Sequence, residues 1–160
     1  MLCTSTFSTG LSCCKRGPIE KKCSHGHDPD DFNIAHLLIC YVADSDEQAW
    51  NDCAEPLHHM MSEYQTWVEE SGDATGDGVA ESIVPSSAEL KKTRYCESFG
   101  RSAIIGSPET VLAQLLAAHE DSPGTHLTLM MSLPGAEPSR TRHSMALFAS
   151  EVMPRLKAQS

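Results

Sequence analysis

The feature that most constrains the fold is a nearly continuous apolar run from Ile34 to Ala43, which reads Ile-Ala-His-Leu-Leu-Ile-Cys-Tyr-Val-Ala. Such a run is typical of a strand that is covered on both faces, as in a parallel sheet. Ser45 lies two residues after this run and predicts a helix N-cap, with Gln48 three residues later as its capping-box partner. Strand, short turn and capped helix together predict a βα unit, and hence an α/β protein.

We expect the helix of this unit to run to about residue 69. Asp46 and Glu47 lie in its first turn, where the helix dipole favours negative charge. Pro56 lies in its interior and predicts a kink or an interruption, because proline removes a backbone donor.

A second helix is predicted from Gly106-Ser107-Pro108-Glu109, which supplies a cap residue, a proline at the first helical position and an acid in the first turn. The apolar stripe of this helix is Val111, Leu112, Leu115 and Leu116.

A short strand is predicted from His126 to Met131, with Leu127, Leu129 and Met131 on one face. A last amphipathic helix follows, and its expected buried residues are Met145, Phe148, Val152 and Leu156.

Residues 70–100 contain Gly- and Asp-rich sequence without an apolar pattern, which predicts a mobile loop. Within it, Ser87 to Tyr95 is compatible with a short helix that carries Lys91, Lys92 and Arg94. Residues 1–24 show no periodicity either, and we interpret them as a loose N-terminal arm rather than as a zinc site or a targeting segment.

Charge and cysteine usage exclude several classes of protein. The net charge is −10, and residues 25–160 carry eight basic against 21 acidic side chains, which disfavours binding to nucleic acid. No apolar run is long enough to span a membrane. Seven cysteines without Cys-x-x-Cys spacing and without a preceding secretory segment predict a reduced protein in the cytoplasm.

Three motifs, in order, resemble bacterial luciferase-like flavin-dependent monooxygenases. They are Tyr-Val-Ala-Asp-Ser-Asp-Glu-Gln-Ala at 41–49, Gly-Ser-Pro-Glu-Thr-Val at 106–111, and the segment Ser-Met-Ala-Leu-Phe-Ala-Ser-Glu-Val-Met-Pro-Arg-Leu at 144–156. The resemblance covers residues 25–160 and implies an α/β fold, namely the C-terminal portion of a TIM-type (β/α)8 barrel. It also implies that about residues 70–100 form the mobile lid of that barrel.

The resemblance implies an oxidoreductase that uses reduced flavin mononucleotide (FMN) and molecular oxygen to oxidise a small organic substrate, with a flavin reductase as partner. The protein's part is to position the flavin and exclude water. A deazaflavin-dependent oxidoreductase on the same barrel is the alternative within enzymes. A non-catalytic fragment or interaction module is the alternative outside them.

Only two barrel strands are recognisable in the sequence, so the family's catalytic histidine has no counterpart and the catalytic residues stay unknown. We expect a truncated copy, a gene fragment or one piece of a split domain. Its open strand edges predict a homo-oligomer, pairing with the missing barrel portion, or poor folding. Flavin or substrate contacts are expected at the carboxyl ends of the two strands, at Tyr41, Asp44, Met131 and Ser132.

Other polar clusters have plainer interpretations. His25-Gly-His27-Asp28 is expected to be a turn, and no metal site is predicted. His58 and His59 are adjacent on a helix and point about 100° apart, so we expect them to be polar side chains on the surface rather than ligands of one metal ion. His36 is expected to be a hydrogen-bonded core residue. The start of the helix at Gly106 is expected to be structural, with anion binding as the lesser alternative.

Overall fold

The computed structural model describes residues 33, 35–71, 84–95, 103–121 and 125–159. The strands are β1 (Ala35–Val42), β2 (Ala103–Gly106) and β3 (His126–Met130). The first helices are α1 (Asp46–Ser71), α2 (Ser87–Thr93) and α3 (Pro108–Asp121). A C-terminal helical segment combines α4 (Pro138–Leu147), a π-helical turn (Phe148–Val152) and α5 (Met153–Gln159).

The three strands form one parallel sheet in the order β2-β1-β3. β1 is the central strand, and its side chains alternate between two cores. Ile39 and Tyr41 face α1 and α2, whereas Leu38, Cys40 and Val42 face α3 and the π-helical turn. Burial on both faces explains why the sequence of β1 is continuously apolar, as predicted.

β2 is a strand that the sequence did not reveal. Its four residues precede Gly106-Ser107-Pro108, and the helix signal there obscured the short apolar run. In the structure, Ile104 and Ile105 are buried on opposite faces, and Tyr41 pairs with Ile105 in the register of the sheet. The prediction of two strands is therefore wrong by one.

The strand order differs from that of a barrel wall. Consecutive strands of a (β/α)8 barrel are neighbours, whereas here β1 lies between β2 and β3. Helices also pack on both faces of the sheet. The described residues thus form an open α/β sheet, and a barrel is not shown.

α1 forms where the capping signals predicted it. The Gln48 amide donates to the Ser45 hydroxyl at 3.2 Å, as a helix N-cap requires. Pro56 does not interrupt the helix, which continues to Ser71 with Pro56 buried inside it. The expected interruption is therefore wrong, and burial of the surrounding apolar face stabilises the helix across the missing backbone donor.

The predicted lid lies partly outside the described residues. Residues 70 and 71 end α1. The other described part of the predicted lid, residues 84–95, contains α2, which is capped by Ser86 and ends at Arg94 in the left-handed conformation. Leu90 of α2 is fully buried against α1. The predicted N-terminal arm, residues 1–24, lies outside the described residues.

The C-terminal helical segment buries a different set of residues from the predicted one. Phe148 and Val152 are buried, and Leu156 packs beside them, as expected. Met145 is 44% exposed, because Ser144 takes the inward position and accepts a hydrogen bond from the Val42 amide at 2.8 Å. The expectation for Met145 is therefore wrong. Within the described residues, no helix is both long and apolar enough to cross a membrane.

Candidate functional site

A closed polar corner joins the starts of α1 and α3. Both helices begin just beyond the carboxyl ends of neighbouring strands, and the Ala43 amide donates to the Gly106 carbonyl at 3.1 Å. The Asp46 carboxylate accepts from the Ser107 amide at 2.6 Å and from the Thr110 hydroxyl at 3.0 Å. One acid in the first turn of α1 therefore also caps α3.

Hydrogen bonding determines the electrostatics of this corner. The Ser107 amide, more than any other group, holds the pKa of Asp46 below its usual value, although burial opposes the shift. The starts of two helices stabilise the negative charge further.

Gly106 is required at this corner because there is no room for a side chain. A Cβ there would lie 2.7 Å from Asp46 Oδ1 and 2.8 Å from Thr110 Cγ2. The start of α3 is a position where anions commonly bind, and the Asp46 carboxylate occupies it. The geometry therefore favours the structural interpretation of Gly106-Ser107-Pro108.

The four predicted contact residues lie at the ends of β1 and β3, with Tyr41 inside β1 and the other three just beyond the strands. These ends meet at a topological switch point, since the chain leaves β1 towards β2 and then crosses to β3. Open α/β sheets bind ligands at such points. Their side chains nevertheless diverge. Tyr41 is buried against α1, Met131 packs into the opposite core, and Asp44 is exposed with a carboxylate oxygen 3.5 Å from His143 Nε2. Ser132 is exposed.

Tyr41 has a structural partner. Its hydroxyl donates to Asp52 Oδ2 at 3.2 Å, and Asp52 Oδ1 pairs with the Arg140 guanidinium at 2.5 Å. Burial, and next the Asp52 carboxylate, raise the pKa of Tyr41 well above its usual value. A phenol in this environment stays protonated at neutral pH and ties β1 to α1 and α4.

The switch point itself is filled with protein. Ser144 bonds to the end of β1, and Leu133 is buried in the core on the α1 side. Ser132, the fourth predicted residue, instead lines a groove between the C-terminal part of α1 and the end of β3.

This groove is open and has a volume of about 530 Å³. Its wall from α1 consists of Met60, Glu63, Tyr64 and Trp67. Its wall from the end of β3 and the following turn consists of Met130, Ser132, Leu133 and Pro134. We refer to these eight residues as the α1–β3 groove.

Two aromatic rings dominate the groove. Tyr64 and Trp67 are in edge-to-face contact, with centroids 5.3 Å apart and ring planes at 79°. They are 49% and 58% exposed, although large aromatic side chains usually bury most of their surface. Concave, mainly apolar surfaces with a few polar groups are typical ligand sites, so the α1–β3 groove is the candidate site.

The groove fits part of a flavin. Its aromatic and thioether wall suits the planar isoalloxazine ring. Among the described residues, the only charged residue in its lining is Glu63, which repels a phosphate, and the start of α3 already holds Asp46. The groove residues thus accommodate a ring or an organic substrate, but they do not fit a flavin phosphate.

The histidines have other roles. The His58 Nδ1 donates to the Pro85 carbonyl at 2.9 Å, so the half-buried His58 holds the segment before α2 in place and is not a solvent-exposed side chain as expected, whereas His59 is exposed. His36 Nε2 is buried without a hydrogen-bond partner among the described residues, contrary to expectation. The described residues contain no cluster of three or more potential metal ligands, and His25 and His27 lie outside them.

Two cysteines of the described residues have buried thiols. Cys40 and Cys53 are both free. Burial raises the pKa of Cys40 to about 12, which makes this thiol a poor nucleophile at neutral pH. Sequence reasoning missed the pairing of Tyr64 with Trp67, although their spacing of three residues on a helix was a usable signal.

No protein-family model matches this sequence, and no curated protein matches it. Among solved structures, the chain is similar to the crystal structure of monooxygenase RslO1 from Streptomyces bottropensis, with a TM-score of 0.49 and 16% sequence identity. The match covers 85% of this chain and 35% of that protein. The similarity is distant and concerns the arrangement of helices and strands, so we assign no residue or activity from it.

Proposed function

We propose that this chain belongs to a flavin-dependent, luciferase-like monooxygenase, in which the α1–β3 groove holds a small organic substrate against the flavin ring. The complete enzyme would use reduced FMN and molecular oxygen and receive its flavin from a reductase in the cytoplasm. The groove is the observation that carries the proposal, because Tyr64 and Trp67 in its wall stay about half exposed in the described part of the chain.

The sequence motifs support the same function. The motif at 41–49 forms the end of β1 and the start of α1, and the motif at 106–111 forms the end of β2 and the start of α3. These two motifs meet at the polar corner, where Asp46 of the first bonds to Ser107 and Thr110 of the second.

Flavin supplies the oxygen-activating chemistry when bound, and the residues of this chain bind, orient and shield. Tyr64 and Trp67 offer apolar surface to the ring or the substrate, and the Ser132 hydroxyl offers a hydrogen bond. Because the groove does not fit a phosphate, the phosphate would be held by residues outside the groove.

The experiment is a titration of the purified chain with FMN, oxidised and then anaerobically reduced, followed by flavin and tryptophan fluorescence. We expect saturable binding that Trp67→Leu weakens. Trp50→Phe is the control, because Trp50 is buried and does not line the groove. Absence of saturable binding to the wild-type chain would refute the proposal for this chain. Incorporation of oxygen into an added organic substrate, measured against the spontaneous oxidation of free reduced FMN, separates it from a deazaflavin enzyme, which would incorporate none.

A second candidate function is an interaction module without catalysis. In the described sheet, β2 and β3 each pair only with β1, so each leaves one edge free. Leu37 in β1 is 65% exposed. Free edges with apolar neighbours promote association with a second copy or with another part of the protein. Sedimentation tests this candidate: a stable monomer at micromolar concentration that binds FMN would contradict it.

A further inference from the structure

We propose that the α1–β3 groove selects an organic cation with an apolar body, such as a quaternary or protonated amine. The inference rests on the proposed function only for the claim that the bound cation is a substrate. Binding of the cation follows from the groove's own chemistry and is tested separately from flavin.

The geometry of the two rings is the first argument. A ring of tyrosine or tryptophan carries a negative face, and a cation within about 6 Å of the ring centre is attracted to it. Tyr64 and Trp67 stand at 79° to each other and leave about half of each side chain exposed. Two rings at nearly a right angle form a corner in which an alkylammonium group can contact both.

The charge at this corner is the second argument. Glu63 lies next to Tyr64 on α1 and lines the same groove, and no lysine, arginine or histidine of the described part of the chain joins it in the lining. A carboxylate beside aromatic faces favours a positive ligand and opposes a negative one. The surplus of acidic side chains over the rest of the chain acts in the same direction over longer distances.

The apolar floor is the third argument. Met60 and Leu133 are buried at 5% exposure each, and Met130 is partly buried beside them. Thioether and alkyl groups contact methyl or methylene groups favourably without supplying hydrogen bonds. A hydrated inorganic cation gains little from such a floor, whereas a methylated or alkylated ammonium loses little hydration and gains contact.

The test compares choline with its neutral carbon isostere, in which a tert-butyl group replaces the trimethylammonium group. Both have nearly the same shape, so a difference in affinity reports the charge. We expect choline to bind at least about fivefold more tightly and to change the emission of Trp67, as assigned with Trp50→Phe, which retains Trp67. Equal affinity for the two molecules would overturn the inference.

Variants locate the site. Glu63→Gln should weaken choline binding about three- to fivefold and leave the neutral isostere unaffected. Glu55→Gln is the matched control, since Glu55 is exposed on the same helix but does not line the groove. Trp67→Leu should weaken choline more than Trp67→Phe does, and thermal unfolding of each variant checks that it is folded. An unchanged affinity in Glu63→Gln, or equal losses in both glutamate variants, would overturn the inference.

The same proteins are titrated with FMN in parallel. Choline binding without FMN binding supports the organic-cation site and refutes the flavin function of this chain. FMN binding without discrimination between choline and its isostere supports the flavin function and overturns the organic-cation site. The two proposals therefore fail separately.

Discussion

The two parts of α1 make contrasting use of the same helix. From Asp46 to Met61, one face is buried without a gap, and Asp46 at its start also caps α3. From residue 62 to 70, no described side chain is buried, and the polar ones bond along the helix, as in the contact from Gln65 to Glu69. Two large aromatic side chains, Tyr64 and Trp67, are also exposed in this second part of α1.

This difference separates residues that hold the fold from residues that are free to bind a ligand. In the first part of α1, the charged and apolar side chains contact β1, β2 and α3. The second part keeps a carboxylate and two aromatic rings on a groove, where they contribute little to folding. We therefore expect substitutions in the first part to change stability, and substitutions in the second part to change binding.

The largest effect is expected for Trp50→Ala in the first part. Trp50 is 5% exposed in the core beneath α1. Removing a buried tryptophan leaves a cavity and costs about 3–5 kcal/mol of unfolding free energy. Urea denaturation measures this cost, and a loss below about 1 kcal/mol would show that the first part of α1 is less tightly packed than the structure indicates.

Gly106→Ala tests the polar corner at the start of α1. The new methyl group would lie within 3 Å of the Asp46 carboxylate and the Thr110 side chain, so at least one of them must move. We expect a loss of about 2–3 kcal/mol from overpacking and weakened capping. Gly135→Ala is the comparison, because Gly135 has φ +80° and no atom near its Cβ position. It should lose about 1 kcal/mol through backbone strain alone.

Asp46→Asn keeps the shape of the corner and removes its charge. We expect a loss of about 1–2 kcal/mol, since Asp46 serves the starts of two helices. Glu47→Gln makes the same charge change one residue later, where the side chain is exposed and has no such contact to α3, and should cost only about 0.3 kcal/mol. Similar losses in both variants, measured by urea denaturation, would mean that the contact with α3 adds nothing.

The pH dependence of stability gives an independent test of the same carboxylate. The pKa of Asp46 is lower in the folded chain than in the unfolded chain. Its stabilising effect is therefore complete above the unfolded pKa, near 4, and is lost as the pH falls through the folded pKa. The stability gap between wild type and Asp46→Asn should narrow below about pH 4. A constant gap from pH 7 to pH 3 would contradict the assigned hydrogen bonds.

Local signals were sufficient to predict most elements of this fold. Ser45 and Ser107 mark the starts of α1 and α3 by capping chemistry that involves only neighbouring residues. The continuous apolar run of β1 is only a few residues long, and it also indicates that the strand is buried on both faces. These elements appear where the sequence predicts them.

The parts of the structure that the sequence did not predict depend on contacts between residues that are distant in the chain. β2 is only four residues long and becomes a strand by pairing with β1. Asp46 is hydrogen-bonded to Ser107, 61 positions later, and Val42 is hydrogen-bonded to Ser144, 102 positions later. Neither hydrogen bond can be recognised from the neighbouring sequence. For the candidate site, the sequence indicated Ser132, but the groove also requires α1 to lie beside the end of β3. That arrangement depends on the strand order, which the sequence did not reveal.

Only a small change in stability is expected for Trp67→Ala, the counterpart of Trp50→Ala. Trp67 is 58% exposed, so its removal deletes little buried surface and should cost less than about 1 kcal/mol. The aromatic corner with Tyr64 disappears, however, and affinity for a groove ligand should fall at least about fivefold. Urea denaturation and a choline titration by calorimetry measure the two quantities on one sample. A large loss of stability with unchanged affinity would reverse the assignment, because the second part of α1 would then hold the fold rather than a ligand.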